Sequence, residues 1–279
     1  MTGDPWAGAR SYDLMSAYSG TGESAWEPCC NDRHGTAVAG IIAATHDNGV
    51  GGAGIAPLVV VNAVRIFRGT QVATDNQIAD GINWAWNVAK SDVINNSWGG
   101  GPPSNAITTA INNALGQGRN GWGTVVVFAA GNTSNRSIGL LGSVVYPASL
   151  SSTTNVISVG AINRWGELTN YTPEYGRVDV VAPSGHLTGF CIGEVVTLDR
   201  YGSAGCNDGP NGDINYTSTF SGTSAAAPQV SGVAALMLSQ SPFLTAGEVK
   251  AKIRIGADWW GSASAFGAGK LNAYRALVQ

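Results

Sequence analysis

Charged side chains are scarce in this chain of 279 residues, and their scarcity limits what the protein can bind. Asp, Glu, Lys and Arg together make up 12% of the residues, and the formal net charge is -3. A surface that binds nucleic acid needs clustered lysines and arginines, and an acidic interaction tail needs a run of carboxylates. The sequence contains neither, so we expect no nucleic-acid partner.

Long apolar runs are also missing. A transmembrane helix needs roughly 20 consecutive apolar residues, and no stretch of this sequence comes close to that length. The first twenty residues lack the basic segment and apolar core of a signal peptide. We therefore expect no membrane span and no signal peptide. Since this length supports a full hydrophobic core, we expect residues 1–279 to form one monomeric domain.

Cysteine is rare, with four residues. Cys29 and Cys30 are adjacent and poorly placed to pair with each other, whereas Cys191 and Cys206 could close one loop of modest size. The alternative is four reduced thiols, because a sequence does not set the redox state of its compartment. A zinc site around the adjacent pair is not favoured, since the usual second Cys or His pair is absent.

Apolar strands and amphipathic helices alternate along the chain. This alternation is typical of a parallel sheet with right-handed crossovers, in which functional groups collect at the carboxyl ends of the strands. Residues 1–28 show no sustained period and are predicted as mostly loop. The predicted strands are Leu58–Val64, Val93–Asn96, Thr124–Phe128, Val156–Ala161 and Val178–Val181, and the predicted helices cover 34–44, 75–89, 107–115, 246–255 and 271–278.

The segment Ser221–Pro228 (SGTSAAAP) places one hydroxyl, that of Ser224, at the start of an apolar helix. Gly222 allows a tight turn, and the helix N-terminus adds positive potential where an oxyanion would form. Pro228 is expected within about the first turn, where a missing N–H costs little. Serine before a helix is often only a cap, but this setting suits acyl transfer. The helical stripe that follows is Val230, Val233, Ala234, Met237 and Leu238.

A second motif far upstream, His34–Gly40 (HGTAVAG), supplies an imidazole. Together the two motifs resemble those of the subtilisin-like serine peptidases. The resemblance implies a three-layer α/β fold, with a mostly parallel central sheet and helices on both faces. It also implies that Ser224 is a nucleophile and that His34 is its general base. An esterase of the α/β-hydrolase type is excluded, because Ser224 lacks a G-x-S-x-G elbow and His34 precedes it.

Two further segments match parts of the site in that family. Asn132, after the strand that ends at Ala130 and Gly131, resembles the oxyanion-hole asparagine. Ser97, Trp98 and Gly99 resemble the strand on which an extended peptide substrate pairs. Without the resemblance, these segments are an asparagine in a loop and a strand ending in a glycine turn.

Several details resemble the kexin and furin branch of the family. Asp32, two residues before His34, matches a position beside the substrate cleft in that branch, and Glu174 matches an acidic wall residue. Dibasic specificity does not follow, because glycines and prolines occupy 100–103, where furin-like members carry acids. The resemblance implies protein or peptide substrates and a secreted or cell-surface location.

The resemblance also implies a calcium loop at residues 45–52, where oxygen donors at a tight turn suit Ca²⁺. We carry over Thr45, Asn48, Val50 and Gly52 as ligands. The alternative is an ordinary glycine-rich loop after a helix. Catalysis itself is expected to need no cofactor.

The family's catalytic Asp should end an early apolar strand, and no such strand precedes His34. We therefore expect a fold that is truncated at its N-terminus, without the first core strand and with impaired chemistry. The alternative function is a pseudoprotease that binds extended peptides. The acids before His34 are Asp4, Asp13, Glu23, Glu27 and Asp32, and none follows a run of Val, Ile or Leu.

Overall fold

The architecture is that of a computed structural model, which describes residues 11–13, 33–49, 51–185, 195–201, 206, 209–259 and 266–278. A π-helical segment, Trp84–Val88, continues the second helix. In chain order the elements are β1 (Ser11–Asp13), α1 (His34–Ala43), β2 (Ala63–Arg65), β3 (Phe67–Arg68), β4 (Gln71–Val72), α2 (Asp75–Asn83), β5 (Val93–Asn96), α3 (Asn105–Gln117), β6 (Val125–Ala129), β7 (Ile157–Ile162), β8 (Val180–Pro183), β9 (Val195–Leu198), β10 (Tyr216–Phe220), α4 (Thr223–Gln240), α5 (Ala246–Gly256) and α6 (Ala273–Val278).

The central sheet is parallel and has the strand order β5-β6-β7-β8. Its strands are rich in valine and isoleucine, which suit a sheet that is covered on both faces. The carboxyl ends of neighbouring strands therefore lie at one edge of the sheet. Asn96, the last residue of β5, pairs with Phe128 near the end of β6, so Ser97 and Asn132 follow at that same edge.

The layers can be traced from β6, where every residue is buried. Val126 and Phe128 face a core shared with α2 and α3, whereas Val125 and Val127 face a second core shared with α4 and α5. Successive side chains of a strand point to opposite faces, so the sheet lies between two helical layers. The prediction of a three-layer α/β fold is confirmed.

One expectation about the early chain is wrong, and another is refined. β1 lies within the predicted loop 1–28 and pairs in parallel with β2, with Ser11 opposite Ala63. The predicted strand Leu58–Val64 begins only at Ala63, and Leu58 is 86% exposed. The reason is a turn: the N–H of Val59 donates to the carbonyl of Ala56 at 3.2 Å. Pro57 then occupies the second position of that turn, where proline is favoured.

The long helix α4 joins the site to the rest of the molecule. It packs across all four strands of the central sheet and against α1. The apolar stripe predicted for it, from Val230 to Leu238, is buried in the second core. Since α1 begins at His34 and α4 begins at Thr223, this packing connects the two motif-bearing helices. No helix within the described ranges is long and apolar enough to cross a membrane.

Candidate active site

Ser224 is the second residue of α4, and a glycine turn precedes it. Gly222 has φ 87° and ψ 169°, which a residue with a Cβ rarely adopts. The hydroxyl of Ser224 donates to the carbonyl of Ser97 at 3.1 Å. In return, the hydroxyl of Ser97 donates to the carbonyl of Ser224 at 2.9 Å. The end of β5 and the start of α4 are therefore joined by two reciprocal hydrogen bonds.

Pro228 explains one of these two bonds. It lies in the second turn of α4, later than the first turn that the sequence suggested. Because proline has no N–H, the carbonyl of Ser224, four residues earlier, lacks its normal helical donor. The hydroxyl of Ser97 supplies a donor instead. A polar group that the helix itself leaves unpaired is thus used to connect the helix to the sheet.

Asn132 follows β6 by three residues, and its side chain is fixed against the start of α4. Its Oδ1 accepts hydrogen bonds from the N–H and the hydroxyl of Thr223, both at 3.0 Å. The same hydroxyl accepts the N–H of Gly131 at 3.1 Å. With Oδ1 occupied in this way, the Nδ2 donor of Asn132 faces Gly222. Thr223 was not predicted as part of the site, since nothing in its local sequence separates it from an ordinary cap.

Two N–H donors border one small space beside Gly222. A Cβ built on Gly222 would lie 3.1 Å from Nδ2 of Asn132 and 3.7 Å from the backbone nitrogen of Ser224. A carbonyl oxygen that develops negative charge in this space would meet both donors, which is the arrangement of an oxyanion hole. The missing side chain of Gly222 is what leaves the space open.

His34 lies at the first position of α1, which is held between β9 and α4. The hydroxyl of Thr197 on β9 donates to the carbonyl of Ala37 at 2.7 Å. The imidazole packs edge-on against Phe220, with 5.3 Å between ring centroids. Because Phe220 lies four residues before Ser224, this contact brings the imidazole to the end of α4 that carries the hydroxyl.

Surrounding protein atoms desolvate the imidazole of His34 and lower its pKa below the usual 6.5. The residue nevertheless remains exposed to solvent on one side, and water there limits the effect of desolvation. Among the described residues, no carboxylate forms a hydrogen bond or an ion pair with this ring. The ring is therefore a neutral base at pH 7, without a carboxylate partner in the described part of the chain.

The predicted substrate strand directly follows β5. The indole of Trp98 is used by the fold, since it packs edge-on against Phe128 at 5.3 Å and donates to Asn96 at 3.0 Å. Gly99 is exposed, and a Cβ there would lie 2.8 Å from Val145. The backbone, rather than the side chains, is thus the part of this segment that could pair with a peptide.

Other predicted groups fall differently. Asp32 and Val50 lie outside the described residues. Glu174 forms an ion pair with Arg136 at 2.7 Å, so its carboxylate is neutralised where an acidic wall was expected.

Cys206 is disulfide-bonded, which rules out four reduced thiols. Its partner lies outside the described residues, and a bond to Cys191 stays a prediction.

The predicted calcium loop offers neutral oxygens. Thr45, Asn48 and Gly52 are described, and the carboxylate within the loop, that of Asp47, pairs with His46 at 2.8 Å. Within the described ranges, no three His, Cys, Asp or Glu side chains cluster closely enough to hold a metal ion. Hydroxyl, amide and carbonyl oxygens fit a hard cation such as Ca²⁺ in kind.

Comparison with known proteins places these features in a family. Residues 17–269 match the model of the subtilase family, peptidase family S8. The chain is 34% identical over 239 residues to subtilisin of Bacillus pumilus and to subtilisin E of Bacillus subtilis. Each match covers 86% of this chain, and they cover 75% and 54% of the two relatives. The chain thus spans about half the length of subtilisin E.

A further relative and two solved structures agree with these matches. A calcium-dependent protease of Nostoc is 32% identical over 284 residues, which cover 90% of this chain and 40% of that protein. A solved protease of Pseudoalteromonas arctica has a TM-score of 0.72 at 34% identity, covering 88% of this chain and 70% of that one. The prenylagaramide maturation protease PagA, at 24% identity, shares the fold with a TM-score of 0.69 over 98% of this chain and 86% of that one. The chain therefore belongs to the subtilase family of serine-type endopeptidases.

Proposed function

We propose that this chain hydrolyses peptide bonds through Ser224, with His34 as general acid and base. The observation that carries the proposal is the space beside Gly222, which the Nδ2 of Asn132 and the N–H of Ser224 border together. Side-chain and backbone donors that converge on one point are needed where a tetrahedral intermediate develops charge. The family membership of the chain supports the same chemistry.

The hydroxyl of Ser224 exchanges its hydrogen bond to Ser97 for one to the imidazole of His34 and attacks the carbonyl carbon of the substrate. The proton passes to His34, and the carbonyl oxygen becomes an oxyanion between the Nδ2 of Asn132 and the N–H of Ser224. The carbon–nitrogen bond then breaks, and His34 gives its proton to the leaving amine. Water, deprotonated by His34, hydrolyses the acyl-enzyme and releases Ser224.

Labelling with a fluorophosphonate tests this proposal, because the reagent reacts with an activated serine hydroxyl. We expect one label on Ser224, its loss in Ser224→Ala, and its retention in the matched control Ser221→Ala. A folded wild-type protein that takes up no label, and that cleaves no peptide, would contradict the proposal.

A second candidate function is the binding of extended peptides without efficient hydrolysis. It is favoured by the hydroxyl of Ser224, which donates to Ser97, and by the absence of a carboxylate partner for His34 within the described residues. In that case casein-derived peptides would bind to the wild type and to Ser224→Ala with equal affinity, and no product would form over hours. Turnover by the wild type alone would exclude this candidate.

The proposal also includes a Ca²⁺ site in the loop that follows α1. The oxygens of Thr45, Asn48, Val50 and Gly52 would hold Ca²⁺ and stiffen the loop that follows α1. We expect a chelator to lower the thermal midpoint and Ca²⁺, but not Mg²⁺, to restore it, because the larger ion accepts irregular oxygen ligands. A midpoint that is unchanged by the chelator would remove calcium from the proposal.

Location and specificity are further parts of the proposal. The disulfide of Cys206 supports an oxidising, extracellular compartment. The motif around His34 supports membership of the kexin-like branch. Measuring the cleavage of peptides that differ in the residue before the scissile bond tests this membership. Glu174 contributes little to a basic preference, because its charge is already paired with Arg136.

A further inference from the structure

Two buried hydroxyl groups bind both polar groups of the Gly222 backbone. The hydroxyl of Tyr171 accepts the N–H of Gly222 at 3.0 Å, and the hydroxyl of Ser184 donates to the carbonyl of Gly222 at 2.9 Å. Tyr171 and Ser184 are each 3% exposed. Sequence reasoning missed both residues, since they lie about fifty and forty positions before Gly222 in unrelated segments.

The two hydroxyls also bind each other. The phenolic hydrogen of Tyr171 faces the carbonyl of Gly185 at 2.6 Å and the hydroxyl of Ser184 at 2.9 Å. The hydrogen of Ser184 is then used on Gly222. Each hydroxyl therefore both donates and accepts a hydrogen bond, so neither is left unsatisfied. A complete buried network holds its members in one arrangement.

The turn at Gly222 needs such partners. Its positive φ takes the residue out of both helix and sheet. Its carbonyl accepts the N–H of Ala225, the first bond of α4, at 3.0 Å, but its N–H has no backbone acceptor and is left to the hydroxyl of Tyr171. Tyr171 lies between β7 and β8, and Ser184 directly follows β8. Both hydroxyls are therefore placed by the central sheet, and they transfer its rigidity to the turn before Ser224.

We propose that Tyr171 and Ser184 are positioning residues that fix the two peptide groups on either side of Gly222, and thereby orient the oxyanion-binding N–H of Ser224 that follows them. Asn132 holds the same peptide group as Ser184, since it accepts the N–H of Thr223 while Ser184 donates to the carbonyl of Gly222. Three side chains thus fix the backbone on which the two oxyanion donors depend. The expected effect on catalysis rests on the proposed function. The fixing of the backbone around Gly222 rests on the hydrogen bonds alone.

The test is Tyr171→Phe, which removes one oxygen atom and keeps the ring. Loss of an oxyanion donor costs about 10²- to 10³-fold in subtilisin, a relative of this chain. A donor that is present but loosened should cost less, so we expect kcat to fall about 10-fold to 100-fold with KM unchanged. Tyr175→Phe is the matched control, because Tyr175 is 56% exposed and four residues away.

Ser184→Ala is the second variant, and Ser184→Thr, which keeps a hydroxyl, should restore part of kcat. Because the hydroxyls of Tyr171 and Ser184 act as one network, the double variant Tyr171→Phe, Ser184→Ala should lose less than the product of the single losses. Equal kcat values for Tyr171→Phe and Tyr175→Phe, in a wild type that hydrolyses peptides, would overturn the inference and leave the proposed function intact.

Amide hydrogen exchange distinguishes a failure of the proposed function from a failure of the positioning role of Tyr171 and Ser184. In Tyr171→Phe we expect faster exchange at residues 222–224, with exchange in the middle of α4 unchanged. If the wild type neither hydrolyses peptides nor takes the fluorophosphonate label, the proposed function fails. The exchange data then decide the inference: local acceleration at 222–224 supports it, and unchanged exchange there overturns it.

Discussion

At the scale of single residues, the site depends on what is missing as much as on what is present. Gly222 contributes no side chain, and this absence leaves the space that Asn132 and Ser224 border. His34 contributes a ring whose pKa is lowered by desolvation. Both properties belong to individual positions, and each can be changed by one substitution.

Gly222→Ala should abolish most activity and leave the fold in place. The new methyl would lie 3.1 Å from Nδ2 of Asn132 and fill the space for the oxyanion, so we expect kcat to fall at least about 10²-fold. Backbone strain at a positive φ costs about 1–3 kcal/mol of unfolding free energy. Activity assays and urea unfolding measure the two effects.

Gly139→Ala is the matched control for this prediction. Gly139 also has a positive φ, 72°, but a Cβ there meets nothing within 4 Å. It should therefore show the loss of stability without the loss of kcat. Equal kcat values for the two variants would contradict the role assigned to the space beside Gly222.

The pKa of His34 predicts how activity and stability depend on pH. Because the pKa in the folded protein lies below 6.5, the neutral base persists through pH 6.5, and kcat/KM should decline only at lower pH. Between 6.5 and the folded pKa, the unfolded chain binds a proton that the folded chain does not, so the unfolding free energy falls as pH falls.

His46→Gln is the control for this pH dependence, because His46 pairs with Asp47 on the surface. It should keep the acidic limb of the kcat/KM profile. An acidic limb centred above pH 6.5 in the wild type would contradict the lowered pKa of His34.

At the scale of elements, the start of α4 is held by groups that come from the ends of strands. Ser97 follows β5 and binds Ser224, and Asn132 follows β6 and binds Thr223. The order of the strands thus places these contacts side by side. Pro228 makes the start of α4 depend more on Ser97, because it leaves the carbonyl of Ser224 without a helical donor and Ser97 supplies one.

The coupling between Ser97 and Pro228 can be measured. Ser97→Ala removes the donor to the carbonyl of Ser224, and we expect about 1–2 kcal/mol less unfolding free energy. Pro228→Ala supplies a backbone N–H to the same carbonyl, so the double variant should regain about 1 kcal/mol. Chemical unfolding of the four proteins gives the coupling, and strictly additive effects would contradict this account of Pro228.

At the scale of the whole molecule, one buried ion cluster connects the second helical layer to the sheet. The ammonium of Lys250 on α5 donates to the carbonyls of Ser151, Thr154 and Val156 at 2.7–3.1 Å. It also lies 3.2 Å from the carboxylate of Asp179, which is fully buried. Burial lowers the pKa of Lys250, while the nearby carboxylate opposes that shift.

Lys250→Met should be strongly destabilising, because it leaves Asp179 buried with less compensation and three carbonyls with a donor removed. Breaking a buried pair from one side costs about 3–5 kcal/mol. Lys252→Met, two positions along the same helix, is the matched control and should cost much less. Thermal and urea unfolding measure both, and equal losses would show that the cluster contributes no more than an ordinary lysine.

Sequence alone predicted the parts of this protein that are encoded locally. The strands around Val93 and Val125, the helix after Ser224 and the buried stripe from Val230 to Leu238 follow from side-chain periodicity, which local sequence controls. The prediction of a buried strand over Leu58–Val64 was wrong, because the apolar composition of this stretch does not reveal the turn at Pro57. Ser224 and His34 were found through the motifs in which they stand.

What the sequence determined by itself was the alternation of strands and helices and the two motif-bearing helices, because both depend on neighbouring residues. Only the tertiary structure decided that Ser97, Asn132, Tyr171 and Ser184 meet around Gly222. Ser97, Asn132 and Ser184 reach the site from the ends of three strands, and Tyr171 from the connection between β7 and β8. Their hydrogen bonds to residues 222–224 join positions between 38 and 127 residues apart. No local pattern marks such partners, because the packing of the sheet against α4 is what brings them together.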